Sequence, residues 1–194
     1  MRKKVGIVIL AAGGSTRFGV PKQLLKYEGE SLVRRAATTA LNCSVGPVII
    51  CLGAEHEAVE NELSGMPVTC LLNPDWRSGM SSSLKSALNY LMTAHADLDA
   101  VLFMLCDQPH ISSEMLNNLI DAYGETNAPI IAAEYGDAVG VPALFDRRKF
   151  SELQDLTGDE GARSLIKKYA GKVHQVPMPE AAFDVDSMTD VENL

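Results

Sequence analysis

The stretch Val5-Gly6-Ile7-Val8-Ile9-Leu10-Ala11-Ala12-Gly13-Gly14-Ser15-Thr16-Arg17-Phe18-Gly19-Val20-Pro21-Lys22 sets a glycine-rich turn and two cations directly after an apolar run. Val5 to Ala12 is short, nearly continuously apolar and rich in β-branched residues, the pattern of a central parallel strand covered on both faces. Gly13, Gly14 and Gly19 let the backbone bend sharply and bring its N–H groups to an anion without Cβ obstruction, while Arg17 and Lys22 supply opposite charge. The guanidinium can hold two phosphate oxygens at once, whereas the ammonium acts as a point charge. Two commoner phosphate loops do not fit. Gly14 and Gly19 have the Walker separation, but Val20-Pro21 stands where Lys-Ser/Thr is required, and the dinucleotide fingerprint G-x-G-x-x-G is absent here. The competing reading is a plain strand-to-loop turn with surface cations.

A chain of 194 residues is long enough for one domain with a substantial core and short for two. Hydrophobic residues at 46% and charged residues at 22% argue against a disordered or fibrous chain. A formal charge of −8 disfavours nucleic acid and anionic membranes as partners, so phosphate affinity must come from locally concentrated cations and a metal. Met1-Arg2-Lys3-Lys4 before the apolar run imitates a signal peptide, but cleavage there would remove the first strand. No later stretch approaches membrane-spanning length. Cys43, Cys51, Cys70 and Cys106 contain no C-x-x-C pair, so buried free thiols in a reducing cytoplasm are expected. His56, His95, His110 and His174 are too scattered for a zinc signature or a nucleophile–base set.

Outward from the loop the pattern alternates. Ser31 to Asn42 reads as a helix capped by Ser31, Pro47 to Leu52 as a strand, Glu55 to Leu63 as a short helix and Val68 to Leu72 as a strand. Ser81 to Ala94 reads as a longer helix, Ala100 to Cys106 as a strand, Ser112 to Tyr123 as a helix ended by Gly124, and Pro129 to Ala133 as a strand. The alternation then loosens into a short strand at Pro142 to Phe145, helices at Arg147 to Leu153 and Gly161 to Tyr169, and a late strand at Val173 to Pro177. The predicted fold is a single α/β domain over residues 1–194, a three-layer α/β/α sandwich around a mostly parallel, Rossmann-like sheet, with an acceptor-side insertion at about 135–172.

Asp107 ends the apolar run Val101-Leu102-Phe103-Met104-Leu105-Cys106 on the sheet edge that carries the phosphate loop. A carboxylate there suits Mg²⁺, which uses one or two carboxylates together with substrate phosphates. A capping role for the helix near Ser112 is the alternative. Phe183-Asp184-Val185-Asp186 supplies a second acidic site, and Asp186 is the expected ligand because Ser187 or Thr189 can cap the last helical turn. Asn73-Pro74-Asp75-Trp76-Arg77-Ser78-Gly79-Met80-Ser81-Ser82-Ser83 joins a strand to a helix at the same edge. Gly79 permits close approach and Ser83 offers a hydroxyl to a base or ribose, although a capped loop is the plainer account. The lone Trp76 is assigned to packing rather than to base stacking. Gly158-Asp159-Glu160-Gly161-Ala162-Arg163 is either an anion-binding turn or a helix start.

Taken in order, these residues resemble the molybdenum cofactor cytidylyltransferase family within the larger nucleotidyltransferase fold. The resemblance rests on Leu10-Ala11-Ala12-Gly13 with Ser15, Arg17, Gly19 and Lys22; Asn73-Pro74 with Gly79-Met80 and Ser83-Leu84; Leu105 with Asp107-Gln108-Pro109; Gly140 with Pro142; Gly158-Asp159 with Gly161-Ala162-Arg163; and Asp184-Val185-Asp186. It implies transfer of CMP from CTP to the terminal phosphate of molybdenum-bound molybdopterin, with release of pyrophosphate. By carry-over, Leu10, Ala11, Ala12, Gly13, Gly14, Arg17, Lys22, Gly79 and Ser83 bind the nucleotide; Arg17, Lys22 and Asp107 are catalytic; Asp107 and Asp186 hold Mg²⁺; and Gly140, Pro142, Asp159 and Arg163 contact the acceptor. The implied partners are CTP, a molybdopterin-type cofactor, and a molybdenum hydroxylase or its maturation chaperone as recipient. Ala12, where the guanylyltransferases usually carry glycine, favours CTP. Phe18 replaces a frequent methionine, an exchange that packing can absorb. Val141 replaces a common histidine, so whatever that imidazole does for the acceptor does not carry over. Two alternatives stay open: a cytidylyltransferase for another phosphorylated acceptor such as methylerythritol phosphate, and a non-catalytic molybdopterin chaperone.

Overall fold

The structure is a computed structural model that describes residues 3–14, 21–186 and 190. The run that opens the chain forms β1 (Val5–Ala11), whose Val5, Ile7, Ile9 and Ala11 are buried in one apolar layer while Val8 is buried in the opposite one. Alternation explains the split, because successive side chains of a strand point to opposite faces. A 3₁₀ turn at Lys22–Leu24 and a hairpin of β2 (Lys26–Tyr27) and β3 (Glu30–Ser31) lead into α1 (Leu32–Leu41), where Ser31 Oγ caps by accepting from the Arg34 N–H. β4 (Val48–Leu52), α2 (His56–Glu62), β5 (Thr69–Leu72), α3 (Met80–Ala94), β6 (Ala100–Leu105) and α4 (Ser113–Thr126) continue the alternation. β7 (Ile130–Tyr135), β8 (Ala138–Asp146), α5 (Phe150–Gln154), α6 (Ala162–Lys168) and β9 (His174–Pro177) complete it.

The strands form one seven-stranded sheet in the order β5-β4-β1-β6-β8-β7-β9. The pairs β1/β4, β1/β6, β4/β5 and β7/β9 are parallel, and only β8 runs against its neighbours β6 and β7. Helices α1, α2 and α4 cover one face through Val33, Ala37, Val59, Leu116 and Leu119. Helices α3, α5 and α6 cover the other through Leu84, Leu88, Leu91, Leu153 and Leu165. Each fully buried leucine or isoleucine in these layers contributes about 1.5–3 kcal/mol of transfer free energy, so the two layers hold the sheet rigid beneath its edge loops. No helix among the described residues is long and apolar enough to cross a membrane.

Two local expectations change. α4 runs through Gly124 to Thr126 and stops at Asn127, which takes the left-handed conformation at φ 52°. A glycine inside a helix costs only about 1 kcal/mol, and Asn127 closes the last turn by donating its N–H to the Tyr123 carbonyl at 3.3 Å. The span 135–172 is not an appendage. It supplies the nine-residue β8 to the interior of the sheet, extending well beyond the short strand expected at Pro142 to Phe145, and α5 and α6 pack onto that sheet. Its helices also start later than expected, since Arg147–Lys149 forms a 3₁₀ turn before α5.

Candidate active site

The chain leaves β1 toward β4 and β5 on one side, and β6 lies on β1's other side, so the crevice between the carboxyl ends of β1 and β6 is the topological switch point of the sheet. A cleft of about 800 Å³ opens there, reaching from Leu10, Ala11, Ala12 and Gly13 past Lys22 and Asp107 to Gly79, Ser83, Asp159 and Asp186. Gly14 lies just behind this wall, against Trp76: a Cβ on it would come within 2.9 Å of the indole. Residues 15–20, and with them Arg17, Phe18 and Gly19, lie outside the described residues, as do Ser187 and Thr189.

Gln23 shapes the loop that follows β1. It is buried, and its amide nitrogen donates to the carbonyls of Ala11 and Gly13, each at 2.8 Å. Those two bonds hold the carbonyls inward, which leaves the intervening turn free to face the cleft.

Lys22 gathers the acids. Its Nζ lies 2.7 Å from Asp107 Oδ2 and 2.9 Å from Asp186 Oδ1. Burial works against its charge, but Asp107 and then Asp186 outweigh that and hold the ammonium above its ordinary pKa. The C-terminal segment is docked by the Val185 N–H, which donates to the Asp107 carbonyl at 2.9 Å. Residues 183–186 reach the site as irregular backbone rather than as a strand, so Asp184 and Asp186 are placed by this contact.

Asp184 keeps solvent contact, yet partial burial of its carboxyl and the charge of Asp107 push it up to about 6, against a hydrogen bond from Gln108 and the charge of Lys22. Gln108 is itself buried and donates to the Ala181 carbonyl at 3.0 Å and the Val141 carbonyl at 3.4 Å, tying together β8, the end of β6 and the C-terminal segment. Asp107 Oδ1 is buried and has no hydrogen-bond partner among the described residues. The nearby thiols are inert by comparison. Burial pushes Cys51 up to about 11 and Cys106 well above the usual thiol range, and all four cysteines are free.

The donor set fits a hard divalent cation. Lys22 demonstrates that one cation can sit within reach of both Asp107 and Asp186, and the orphaned Asp107 oxygen is a ready ligand. No cluster of three or more His, Cys, Asp or Glu side chains with metal-binding geometry occurs among the described residues, so two carboxylates would leave most of the coordination sphere to phosphate and water.

The opposite wall is built by the loop before α3. Gly79 takes φ 103°, and a Cβ there would collide with the Gly158 carbonyl. That carbonyl accepts from both the N–H and the hydroxyl of Ser81, at 3.1 and 2.8 Å, which docks the 158–159 turn on the start of α3 and brings Asp159 to the cleft. Asn73 donates to Ser83 Oγ at 3.0 Å, so the Ser83 proton is left to donate toward the cleft. Trp76 lines the cleft while packing on Gly53 and Gly14, with the Arg77 guanidinium 4.3 Å above its ring. Gly140, Pro142 and Arg163 do not line this cleft. Gly140 and Pro142 lie on β8, and exposed Arg163 lies in the first turn of α6.

Sequence reasoning assigned no role to Gln23 or Gln108, and Asp184 entered only as part of the second acidic site. A glutamine directly after Pro21-Lys22 and another directly after Asp107 were the available signals, since a polar amide beside a catalytic-type residue at a strand end has few structural reasons to be there.

A family model described as a MobA-like NTP transferase domain matches residues 7–174. Nicotine blue oxidoreductase of Paenarthrobacter nicotinovorans is 30% identical to this chain, covering 96% of it and 94% of its own length. The crystal structure of an Rv0371c homologue from Mycobacterium sp. strain JC1 matches with a TM-score of 0.85 at 32% identity, covering 100% of this chain and 96% of that one. Rv0371c of Mycobacterium tuberculosis in complex with manganese matches with a TM-score of 0.82 at 28% identity, covering 99% and 98%. With its glycine loop, lysine and carboxylates gathered at the switch point of a sheet of this kind, the chain belongs to the MobA-like NTP transferase family and is a nucleotidyltransferase.

Proposed function

We propose that the protein transfers CMP from CTP to the terminal phosphate of molybdenum-bound molybdopterin, releasing pyrophosphate and forming the cytosine dinucleotide cofactor. The observation that carries this reading is the meeting of Lys22, Asp107 and Asp186, from distant parts of the chain, beside the loop after β1. The sequence motifs supply the nucleotide and acceptor. Ala12 favours cytidine, and the ordered set from Leu10 to Asp186 favours a molybdopterin acceptor.

The reaction needs no protein nucleophile, because an acceptor phosphate oxygen attacks the α-phosphorus in line with the departing pyrophosphate. Arg17 and the N–H groups of the Gly13-Gly14 turn hold the β- and γ-phosphates, and Lys22 stabilises charge gathering at the α-phosphate. Asp107 and Asp186 would hold Mg²⁺, which when bound neutralises triphosphate charge and polarises the α-phosphate. Lys22 then turns from the carboxylates to phosphate oxygens. Gly79 and Ser83 face the nucleobase, with the Ser83 hydroxyl donating to a ring or carbonyl acceptor. The product passes to a molybdenum hydroxylase or to its maturation chaperone.

Pyrophosphate release tests the proposal, measured with CTP, GTP and ATP against molybdenum-bound molybdopterin and against methylerythritol phosphate. Release with CTP and the molybdopterin acceptor alone is expected. Release only with methylerythritol phosphate assigns a different acceptor, and tight molybdopterin binding with no release assigns a carrier. The likeness to nicotine blue oxidoreductase sets one further arm: oxidation or reduction of nicotine blue without nucleotide transfer would overturn the proposal.

A further inference from the structure

Between β5 and α3 the chain makes a 3₁₀ turn at Trp76–Ser78. Local hydrogen bonds stiffen it. Buried Asn73 accepts from the Asp75 N–H at 3.1 Å while its amide nitrogen donates to Ser82 and Ser83, and the Ser78 N–H donates to the Asp75 carbonyl at 2.8 Å. Trp76 is thereby laid across the carboxyl ends of β4 and β1. A Cβ on Gly53, directly after β4, would come within 2.8 Å of Trp76 Cβ and Cγ, and one on Gly14 within 2.9 Å of the indole's six-membered ring.

The indole carries a cation to this edge. The Arg77 guanidinium stacks over the Trp76 ring at 4.3 Å, and both residues line the cleft. Stacking on a ring leaves the N–H groups at the rim of the guanidinium available to an anion. Among the described residues Arg77 makes no ion pair and no side-chain hydrogen bond, whereas the guanidinium groups of Arg34, Arg35, Arg147 and Arg148 are engaged on carbonyls or carboxylates. Lys22, the other cation among the described lining residues, is held by Asp107 and Asp186, and Asp159 adds a third carboxylate to the lining. An exposed guanidinium without a counter-charge, at the edge of an acid-lined cleft and beside the glycine turn after β1, suits an anion that the ligand brings.

We infer that Arg77, seated on Trp76, grips the β- and γ-phosphates of the nucleotide from the wall before α3, and so makes the site select a triphosphate over a monophosphate. The inference rests on the nucleotidyl-transfer reading above. Contact of the indole with Gly14 puts this cation on the phosphate side of the cleft, while Gly79 and Ser83 are left to the base. In the step, an acceptor phosphate oxygen forms a bond to the α-phosphorus while the bond from that phosphorus to the β-bridging oxygen breaks. The electron pair leaves with pyrophosphate. A planar fork meets the charge gathering there with two parallel N–H donors, which an ammonium cannot do.

The test is calorimetric titration of the full chain, and of its Arg77→Ala and Arg77→Lys variants, with CTP, CMP and inorganic tripolyphosphate, each with Mg²⁺ present. Arg77 is exposed, so neither change disturbs the core. Arg77→Ala should weaken binding of CTP and of tripolyphosphate about tenfold or more, as for loss of one hydrogen bond to a charged group, and leave CMP unchanged. Arg77→Lys should recover part of the loss, because the charge stays while the fork is gone. Equal losses for CTP and CMP, or no loss for CTP, overturn the assignment, as does a wild type that binds neither CTP nor tripolyphosphate. The expected pattern in a protein that transfers CMP to no acceptor supports the phosphate grip and overturns only the transfer reading.

Discussion

The Val185 N–H donates to the Asp107 carbonyl oxygen at 2.9 Å. This one bond fixes how the C-terminal segment meets the end of β6, and it does so between a residue with no exposed surface and the backbone of the residue whose carboxylate the site is built around. Because Val185 is anchored in the core, Asp184 and Asp186 are held on either side of it, one toward Gln108 and Tyr135, the other toward Lys22.

Gln23 should matter more to nucleotide binding than its distance from any phosphate suggests. Gln23→Ala strands the Ala11 carbonyl in a buried setting, at a cost of about 1–3 kcal/mol, and releases the more exposed Gly13 carbonyl. The expected result is a lower midpoint in urea unfolding together with a raised KM for Mg²⁺–CTP and an unaltered KM for the acceptor. A variant with wild-type stability and nucleotide KM would show that the loop keeps its shape without the amide.

Much of this arrangement was legible in the sequence. The β-branched run before Gly13 and the apolar run before Asp107 each announce a buried parallel strand, and both carboxyl ends then share one edge as a matter of topology. The end of α4 was misplaced because Gly124 and Asn127 are both residues that can take the left-handed cap, and it is Asn127 that does so. The antiparallel β8 was hidden for a similar reason: its first half, Ala138 to Val141, is interrupted by Gly140, followed by Pro142, and pairs only with β7, so local signals argue against a strand there. Gln108 could be named only as part of the Asp107-Gln108-Pro109 motif, because its carbonyl partners lie on β8 and beside the C-terminal segment.

Gly79→Ala tests whether the two sides of the cleft are mechanically joined. At φ 103° an L-residue is strained by about 1–3 kcal/mol, and the added Cβ meets the Gly158 carbonyl that Ser81 holds. The 158–159 turn must move, taking Asp159 from the cleft. Turnover is expected to fall further than stability, with faster amide hydrogen exchange at Ser81. Unchanged exchange there would mean that the turn docks by other contacts.

Asp146 sets a pH dependence of stability separate from the site. Its carboxyl is partly buried, which alone would raise its pKa, but hydrogen bonds from Arg148 and Tyr123 hold it below the usual carboxylate range. A depressed folded-state pKa gives stability that is present above the unfolded value of about 3.9 and lost as pH falls through the lower folded value. Asp146→Asn should therefore be less stable than wild type near neutrality by about 1.5–3 kcal/mol, the worth of hydrogen bonds to a charged group, and the gap should close below about pH 4. Urea unfolding of both proteins across that acid range checks it, and a gap independent of pH would remove the carboxylate charge as the cause.

Lys22→Met separates the two roles given to that lysine. In the free protein the ammonium stands between Asp107 and Asp186, so removing it leaves two carboxylates facing each other with only an external cation to relieve them. The variant should be less stable than wild type without metal, yet gain more thermal stability on addition of Mg²⁺, because the ion no longer displaces a charge already in place. Catalysis should move the other way. Loss of the cation at the α-phosphate is expected to lower kcat by about a hundredfold, the scale measured when one preorganised electrostatic donor is removed. Thermal melts across a Mg²⁺ series, paired with pyrophosphate release at saturating Mg²⁺, read both effects on the same protein. A Mg²⁺ response no larger than that of wild type would mean that Lys22 and the metal do not compete for these carboxylates, and the shared-cation site would have to be abandoned.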